Sequence, residues 1–282
     1  MPSLPILVIG ATGKTGRRIV DRLRARGVAV RAGSRGAAVP FDWDRPETWP
    51  AALEGVGAAY VSYFPDLAFP GAAAKVEALT RAAATAGVGR LVLLSGRGET
   101  HARHCEQIVQ ASGLDHTLVR AAWFAQNFSE GYLLEPLLQG VIALPAGEVR
   151  EPIVDADDIA DVAVAALTED RHGGALYEIT GPRLLSFADA AAELARASGR
   201  RVRYEPLTLE AFRAEMSQVA GAEVADVLTA ICRETLDGRN AALGDGVQRA
   251  LGRPPRDFAD VCRRAAARSE EHTSELQSLS HI

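Results

Sequence analysis

Short apolar runs alternate along the chain with longer stretches in which apolar residues return every third or fourth position. The run Leu4 to Ile9 reads as a strand, and Arg17 to Arg26 carries Ile19, Val20 and Leu23 on one helical face. Further runs at Val28 to Ala32, in Val39-Pro40-Phe41-Asp42-Trp43, at Ala58 to Tyr63, at Arg90 to Leu94 and from Asp115 to Ala121 predict strands two to six. Between them the alanine-rich Pro70 to Ala86 and the segment Arg103 to Ser112 predict helices. Strands alternating with helices of this length imply an α/β fold on a doubly wound parallel sheet, with helices on both faces.

From Trp123 the rhythm changes. Trp123 to Leu134 predicts a helix and Val141 to Ala146 a strand; within Arg150 to Asp170 lies a helix that Asp155 can cap, with Asp157 and Asp158 in its first turn and Ile159, Val162, Ala163 and Ala166 on one face. That acidic cluster has a structural job at a helix N-terminus; a metal site is the alternative. Leu176 to Arg200 reads as strand, turn and a helix capped near Ser186, and 202–265 as mostly helical. The pattern divides the chain into a sheet-forming part, 1–122, and a smaller, mostly helical lobe, 123–267, some of whose strands return to the first part. Ligands of such sheets bind beyond the carboxyl ends of the strands, where the lobe is expected to lie. The tail 268–282 stands apart. Arg268 to Ser278 has neither periodicity and matches a translated reading frame of a common synthetic sequencing adapter, so it is read as non-native, with the natural C-terminus missing and His272 and His281 given no weight.

Between the first strand and the first helix stands Gly10-x-x-Gly13-x-x-Gly16. Gly13-Lys14-Thr15 imitates the end of a triphosphate-binding loop, but that loop needs a glycine five positions earlier, where Val8 stands. A strand, three glycines at this spacing and a helix instead fit a dinucleotide turn, in which the first glycine turns the chain, the second admits a pyrophosphate and the third lets helix pack on strand. The plainer reading is that the glycines only punctuate a turn. After strand two comes Arg31-Ala32-Gly33-Ser34-Arg35, with no acid. A carboxylate there would accept from ribose hydroxyls and repel a 2'-phosphate, whereas Ser34 and Arg35 can bind that phosphate. NADP(H) is therefore favoured over NAD(H), unless Arg35 is simply an exposed loop charge.

Composition narrows the partners. Lys plus Arg number 31 against 36 Asp plus Glu, a formal charge of -5, which gives no global attraction for nucleic acid or anionic membranes and favours a small-molecule substrate. Three well-separated cysteines form no disulfide framework, the start enters the first strand directly, and no apolar run approaches about 18 residues. A cytoplasmic monomer or homodimer is expected. His101, His104, Cys105 and Glu106 could be drawn as a metal site but are read as a loop and helix start, so no metal is expected; no Gly-x-Ser-x-Gly elbow for a hydrolase occurs.

With the glycine turn, Gly33-Ser34-Arg35, Leu93-Leu94-Ser95-Gly96-Arg97-Gly98 and Trp123-Phe124-Ala125-Gln126-Asn127-Phe128 in view, the chain resembles the NmrA-like atypical short-chain dehydrogenases, closest to bacterial relatives of the ergot alkaloid reductases, over about Leu4 to Ala267. The resemblance implies a Rossmann sheet with cofactor contacts from Gly10, Thr12, Gly13, Lys14, Thr15, Gly16, Ser34 and Arg35. It implies Asp42 and Trp43 beside the adenine, and Ser62, Tyr63 and Phe64 along the path to the nicotinamide. Ser95, Gly96 and Arg97 would lie near the nicotinamide ribose, and Phe64, Arg97, Trp123, Phe124 and Asn127 toward substrate; the aromatics have plain core packing as their alternative.

One departure bears on mechanism. Conventional members of the superfamily use Tyr-x-x-x-Lys, in which the ammonium eases proton transfer from the phenol. Here no tyrosine has lysine four residues on, and Lys14 and Lys75 are the only lysines. Hydride transfer to an iminium, quinone or activated enone demands less of a protein acid. Tyr63, Ser95 and Tyr132 are the candidate proton donors. The expectation is an NADPH-dependent reductase of a small electrophile, with a non-catalytic NADP(H)-binding sensor as the rival.

Overall fold

The computed structural model describes residues 4–267, so the adapter-like tail lies outside the described residues. In chain order the elements are β1 (Ile6–Ile9), α1 (Lys14–Ala25), β2 (Val30–Gly33), α2 (Trp49–Leu53), β3 (Ala58–Val61), α3 (Ala72–Thr85), β4 (Arg90–Gly96), α4 (Thr100–Ala111) and β5 (Asp115–Ala121). There follow α5 (Leu134–Leu138), β6 (Val141–Leu144), β7 (Arg150–Glu151), α6 (Ala156–Thr168), β8 (Ala175–Ile179), β9 (Leu185–Ser186), α7 (Phe187–Ser198), β10 (Arg203–Pro206), α8 (Leu209–Ala220), α9 (Ala222–Thr235) and α10 (Gly246–Leu251).

These fall into two compact units. The first takes the chain up to Ala122 together with Ala156–Thr180 and Gly244–Pro254; the second takes Trp123–Asp155, Gly181–Leu243 and the chain from Pro255 on. The first unit holds a six-stranded, wholly parallel sheet in the order β2-β1-β3-β4-β5-β8. From β1 the chain steps to β2 on one side and later to β3 on the other, so the switch in strand order falls between β1 and β3, where ligands of open sheets bind. The middles of the inner strands are apolar because both their faces are covered: Leu7, Val8, Ala59, Tyr60, Val92, Leu93 and Val119 are fully buried.

Two expectations fail, for physical reasons. Val39 to Trp43 is no strand, although Phe41 and Trp43 are buried as its alternation implied. Pro40 has no N–H for a ladder, and the remaining groups are satisfied locally: Phe41 N–H donates to Ser34 O (3.0 Å), Asp42 N–H to Thr48 Oγ1 (3.1 Å), and Trp49 Nε1–H to Asp42 O (2.7 Å). The sixth strand is instead β8, from beyond Trp123. Nor is Trp123 to Leu134 a helix. Phe124 bridges Val154, with Ala125 N–H on Val154 O (2.8 Å) and Val154 N–H on Trp123 O (2.9 Å), which requires extended backbone; one turn of 3-10 helix, Ala125–Asn127, is all that coils before α5.

The α6 expectation stands and extends. Asp157 and Asp158 occupy its first turn, but burial covers nearly the whole helix, Val164 and Ala165 included, and not one stripe. The acids are taken up by arginines of the same unit: Arg22 meets Asp157 (2.7 Å) and Asp161 (2.6 Å), and Arg253 meets Asp158 (2.8 Å) and Asp161 (2.6 Å). In the second unit, α7 begins with the anticipated cap. Ser186 Oγ accepts from Asp189 N–H (3.1 Å) and the Asp189 carboxylate accepts from Ser186 N–H (3.0 Å). That unit also pairs β6 with β10 in parallel, a strand within the stretch expected to be helical.

Candidate functional site

The glycine turn closes as its spacing requires. Gly10 leaves β1 with φ +76, where a side chain would be strained, and a Cβ there would sit 3.2 Å from the Ser62 side chain. Its N–H donates to Gly33 O (2.9 Å) and its carbonyl accepts from Gly13 N–H (2.9 Å), tying the turn to β2. A Cβ on Gly16 would lie 2.1 Å from Gly10 O, so α1 can approach the turn only with glycine there. The N-terminus of α1 has no side-chain cap and no acid in its first turn. An uncapped helix start with no acid beside it turns its positive end toward the glycine turn, as an anion site requires.

Thr15 behaves unlike a triphosphate-loop threonine. It is buried, and its hydroxyl accepts from Tyr60 O–H at 2.8 Å beneath the turn. With its hydroxyl engaged there, the side chain is not the metal-facing threonine that Gly-Lys-Thr imitates, and Thr15 has only its backbone to offer an anion. Burial pushes the Tyr60 phenol well above its ordinary pKa, so the pair is a fixed hydrogen bond.

At the end of β2, Arg31 and Arg35 part ways. The Arg31 guanidinium donates to the carbonyls of Ala52 (2.8 Å) and Glu54 (2.6 Å) at the end of α2. Arg35 is exposed and has no hydrogen-bond or ion-pair partner among the described residues. Ser34 stands half-buried beside it. A free planar guanidinium, a hydroxyl and no acid make a phosphate-competent corner.

Asp42 and Trp43 form the next wall. Trp43 is mostly buried, its Nε1–H donating to Ser62 O (3.2 Å) and its ring 4.8 Å from that of Tyr63. Three aromatics, Phe41, Trp43 and Trp49, pack mutually within 5.9 Å. The structure therefore brings Gly10, Trp43, Ser62 and Tyr63 together at the switch point, with Phe64 68% exposed next to them. Lys75 from α3 pairs with Asp44, and the hydrogen bond to that carboxylate, with Tyr63 adding to it, holds the ammonium above its usual pKa.

At the ends of β4, β5 and β8 lies a buried polar network. Ser95 O–H donates to Glu106 Oε1 (2.6 Å); Arg120 donates to both Glu106 oxygens, Nε at 2.9 Å, and through Nη1 to Glu178 (3.0 Å); Arg97 Nε reaches Glu178 (3.3 Å). The Glu106 hydrogen bonds hold the Arg120 guanidinium above its ordinary pKa despite burial. Arg97, expected near substrate, thus folds back onto the sheet, and the Ser95 hydrogen is committed to a carboxylate. From the sequence Glu106 was set aside as part of a helix start, and Arg120 and Glu178 were passed over. The available signal was a charge near the end of each apolar strand and a lone acid on the inner face of α4.

The remaining candidates belong to the second unit. Trp123 packs edge-on against Phe187 (5.2 Å), Phe124 is held by the Val154 bridge, and Asn127 ends the 3-10 turn. Tyr132 rests against Phe212 (6.4 Å), and desolvation, with the Cys232 thiol adding to it, lifts its phenol far above the ordinary value. In so apolar a setting the phenol of Tyr132, one of the three candidate donors, holds its proton tightly.

Comparison with known proteins places the geometry. A model of the family described as NAD(P)H-binding matches residues 10–170. The NAD(P)H azoreductase of Xenophilus azovorans is 34% identical over 284 residues, covering 93% of this chain and 98% of the relative. Festuclavine synthase II of Penicillium roqueforti is 29% identical over 279 residues, 92% and 97% of the two chains. Among solved structures, an NADPH-dependent quinone oxidoreductase of Escherichia coli superposes with a TM-score of 0.75 at 23% identity, covering 92% of this chain and 98% of the other, a likeness of fold.

Proposed function

Because the chain belongs to the family of NAD(P)H-binding proteins, we propose that it is a reductase that takes NADPH in preference to NADH and serves a small electrophile such as a quinone, an iminium, an activated enone or an azo compound. The observation that carries this reading is the pairing of an uncapped α1 N-terminus with an exposed, unpartnered Arg35 and no acid at the end of β2. The bound nicotinamide supplies hydride; the protein's work is to hold and orient. The amides of the turn and Lys14 bear on the pyrophosphate, Ser34 and Arg35 on the 2'-phosphate, and Asp42 and Trp43 on the adenine. Tyr63, Phe64 and Gly96 follow along the carboxyl edge of the sheet, and Trp123, Phe124 and Asn127 are assigned to substrate. An iminium needs no proton as hydride arrives, and a quinone or activated enone leaves a stabilised oxyanion, which suits a sequence without Tyr-x-x-x-Lys; an azo compound must take a proton from water as its N=N bond is reduced.

The azo compound is added because the relative in Xenophilus azovorans is an NAD(P)H azoreductase, and the named acceptors share electron deficiency and planarity. The test is a paired calorimetric titration with NADPH and NADH of the protein and of Arg35→Ala, followed by an acceptor panel monitored by NADPH oxidation. The expected result is NADPH binding at least about tenfold tighter than NADH, as one charge-assisted phosphate contact gives, collapsing to the NADH value in the variant. Equal affinities in the wild type would overturn the phosphate assignment; tight binding without turnover on any acceptor would replace the reductase by the sensor.

A further inference from the structure

Three strands of the first unit change character at the same depth. In the parallel register Leu93, Leu118 and Leu176 lie side by side across β4, β5 and β8, and two residues further on Ser95, Arg120 and Glu178 do. Residues two apart in a strand share a face, so one apolar row gives way to one polar row just inside the carboxyl edge. Glu106 descends on this row from α4, its side chain 3% exposed. Both of its oxygens accept from the Arg120 guanidinium, so neither has a hydrogen to offer, and Ser95 can only donate to it. The hydroxyl hydrogen thereby points inward, and the lone pairs of Oγ remain for another donor.

We propose that Ser95 is a hydrogen-bond acceptor for the reducing half of the bound dinucleotide, held in that polarity by Glu106 as a positioning residue, and is not the proton source of the reduction. The inference rests on the reading of the site as a dinucleotide cleft. Its partner is a donor group, and that half of the ligand has two kinds: the carboxamide NH2 and the ribose hydroxyls. Arg120, Glu178 and Arg97 complete an alternating chain of charges that holds the Glu106 carboxylate in place, so a substrate must either need no proton or take it from water.

The test uses binding. NADP+ and its 3-acetylpyridine analogue, in which a methyl replaces the carboxamide NH2, are titrated calorimetrically into the wild type, Ser95→Ala, Glu106→Gln and the double variant. Ser95→Ala leaves Glu106 with its Arg120 bonds, so folding is retained. It is expected to weaken NADP+ by about five- to tenfold, the worth of one hydrogen bond. If the NH2 is the donor, the analogue is indifferent to Ser95→Ala; if a ribose hydroxyl is, both ligands weaken alike; either result supports the acceptor role. Glu106→Gln is expected to weaken binding when Ser95 is present and not further when it is absent. Unchanged NADP+ affinity in Ser95→Ala, or an equal Glu106→Gln loss in both backgrounds, would overturn the proposal. Should Glu106→Gln fail to fold, the Ser95→Ala arms decide alone. Failure of the wild type to bind NADP+ at all would sink the dinucleotide reading itself and this inference with it.

Discussion

A methyl group at position 16 would be driven to 2.1 Å from Gly10 O, a backbone atom that cannot step aside. Gly16→Ala is therefore expected to open the turn, costing on the order of 1–3 kcal/mol of stability and abolishing NADPH binding, as chemical denaturation and titration would show. Beneath the same turn, Tyr60→Phe removes one buried hydrogen bond and should cost about 1 kcal/mol while leaving cofactor affinity unchanged, because the Thr15 hydroxyl faces the core. The two variants separate the cradle from its support. At this scale the sequence was legible where chemistry depends on spacing, as with the three glycines and the missing acid near Arg35. It was illegible where a side chain's partner comes from another strand. Nothing local to Ser95 says that Glu106 takes its hydrogen, nor that Arg97 turns back to Glu178.

Elements were readable when one periodicity ruled them and misread when local hydrogen bonds displaced it. Val39 to Trp43 alternates like a strand, yet side chains of its own loop satisfy it; the Trp123 stretch has helical spacing, yet Val154 claims its backbone. Helix α6 joins the two kinds of lesson, since its acids mark its start and also anchor Arg22 and Arg253. Arg253→Met strips the fully buried Asp158 of a cation. It should cost about 2 kcal/mol in urea unfolding, below the 3–5 of a wholly buried pair because Arg253 is 34% exposed. The α7 cap carries a pH signature. Hydrogen bonds from Ser186, the backbone N–H foremost, hold the Asp189 carboxyl below its ordinary 3.8. A depressed folded pKa means stability fully present above that ordinary value and lost as pH falls through the lower one. Asp189→Asn should therefore lower Tm at pH 7 and make progressively less difference as the pH is taken below about 4.

For the whole molecule, the charge of -5 argues for recognition by local cations, Arg35 among them, within a surface that on average repels anions. The central sheet is assembled from chain segments that are far apart: β8, its edge strand next to β5, arrives only after the Trp123–Asp155 excursion. A fragment ending at Ala122 would present β5 as a bare, apolar edge and is expected to aggregate, seen as loss from the monomer peak in size-exclusion chromatography. The same feature sets a clock during synthesis. The ribosome must add nearly sixty residues after Ala121 before Ile179 emerges, roughly 3 to 12 s at ordinary elongation rates. Throughout that interval the nascent sheet is one strand short, which makes codon usage between β5 and β8, and the chaperones that meet the chain there, determinants of how much protein a cell obtains.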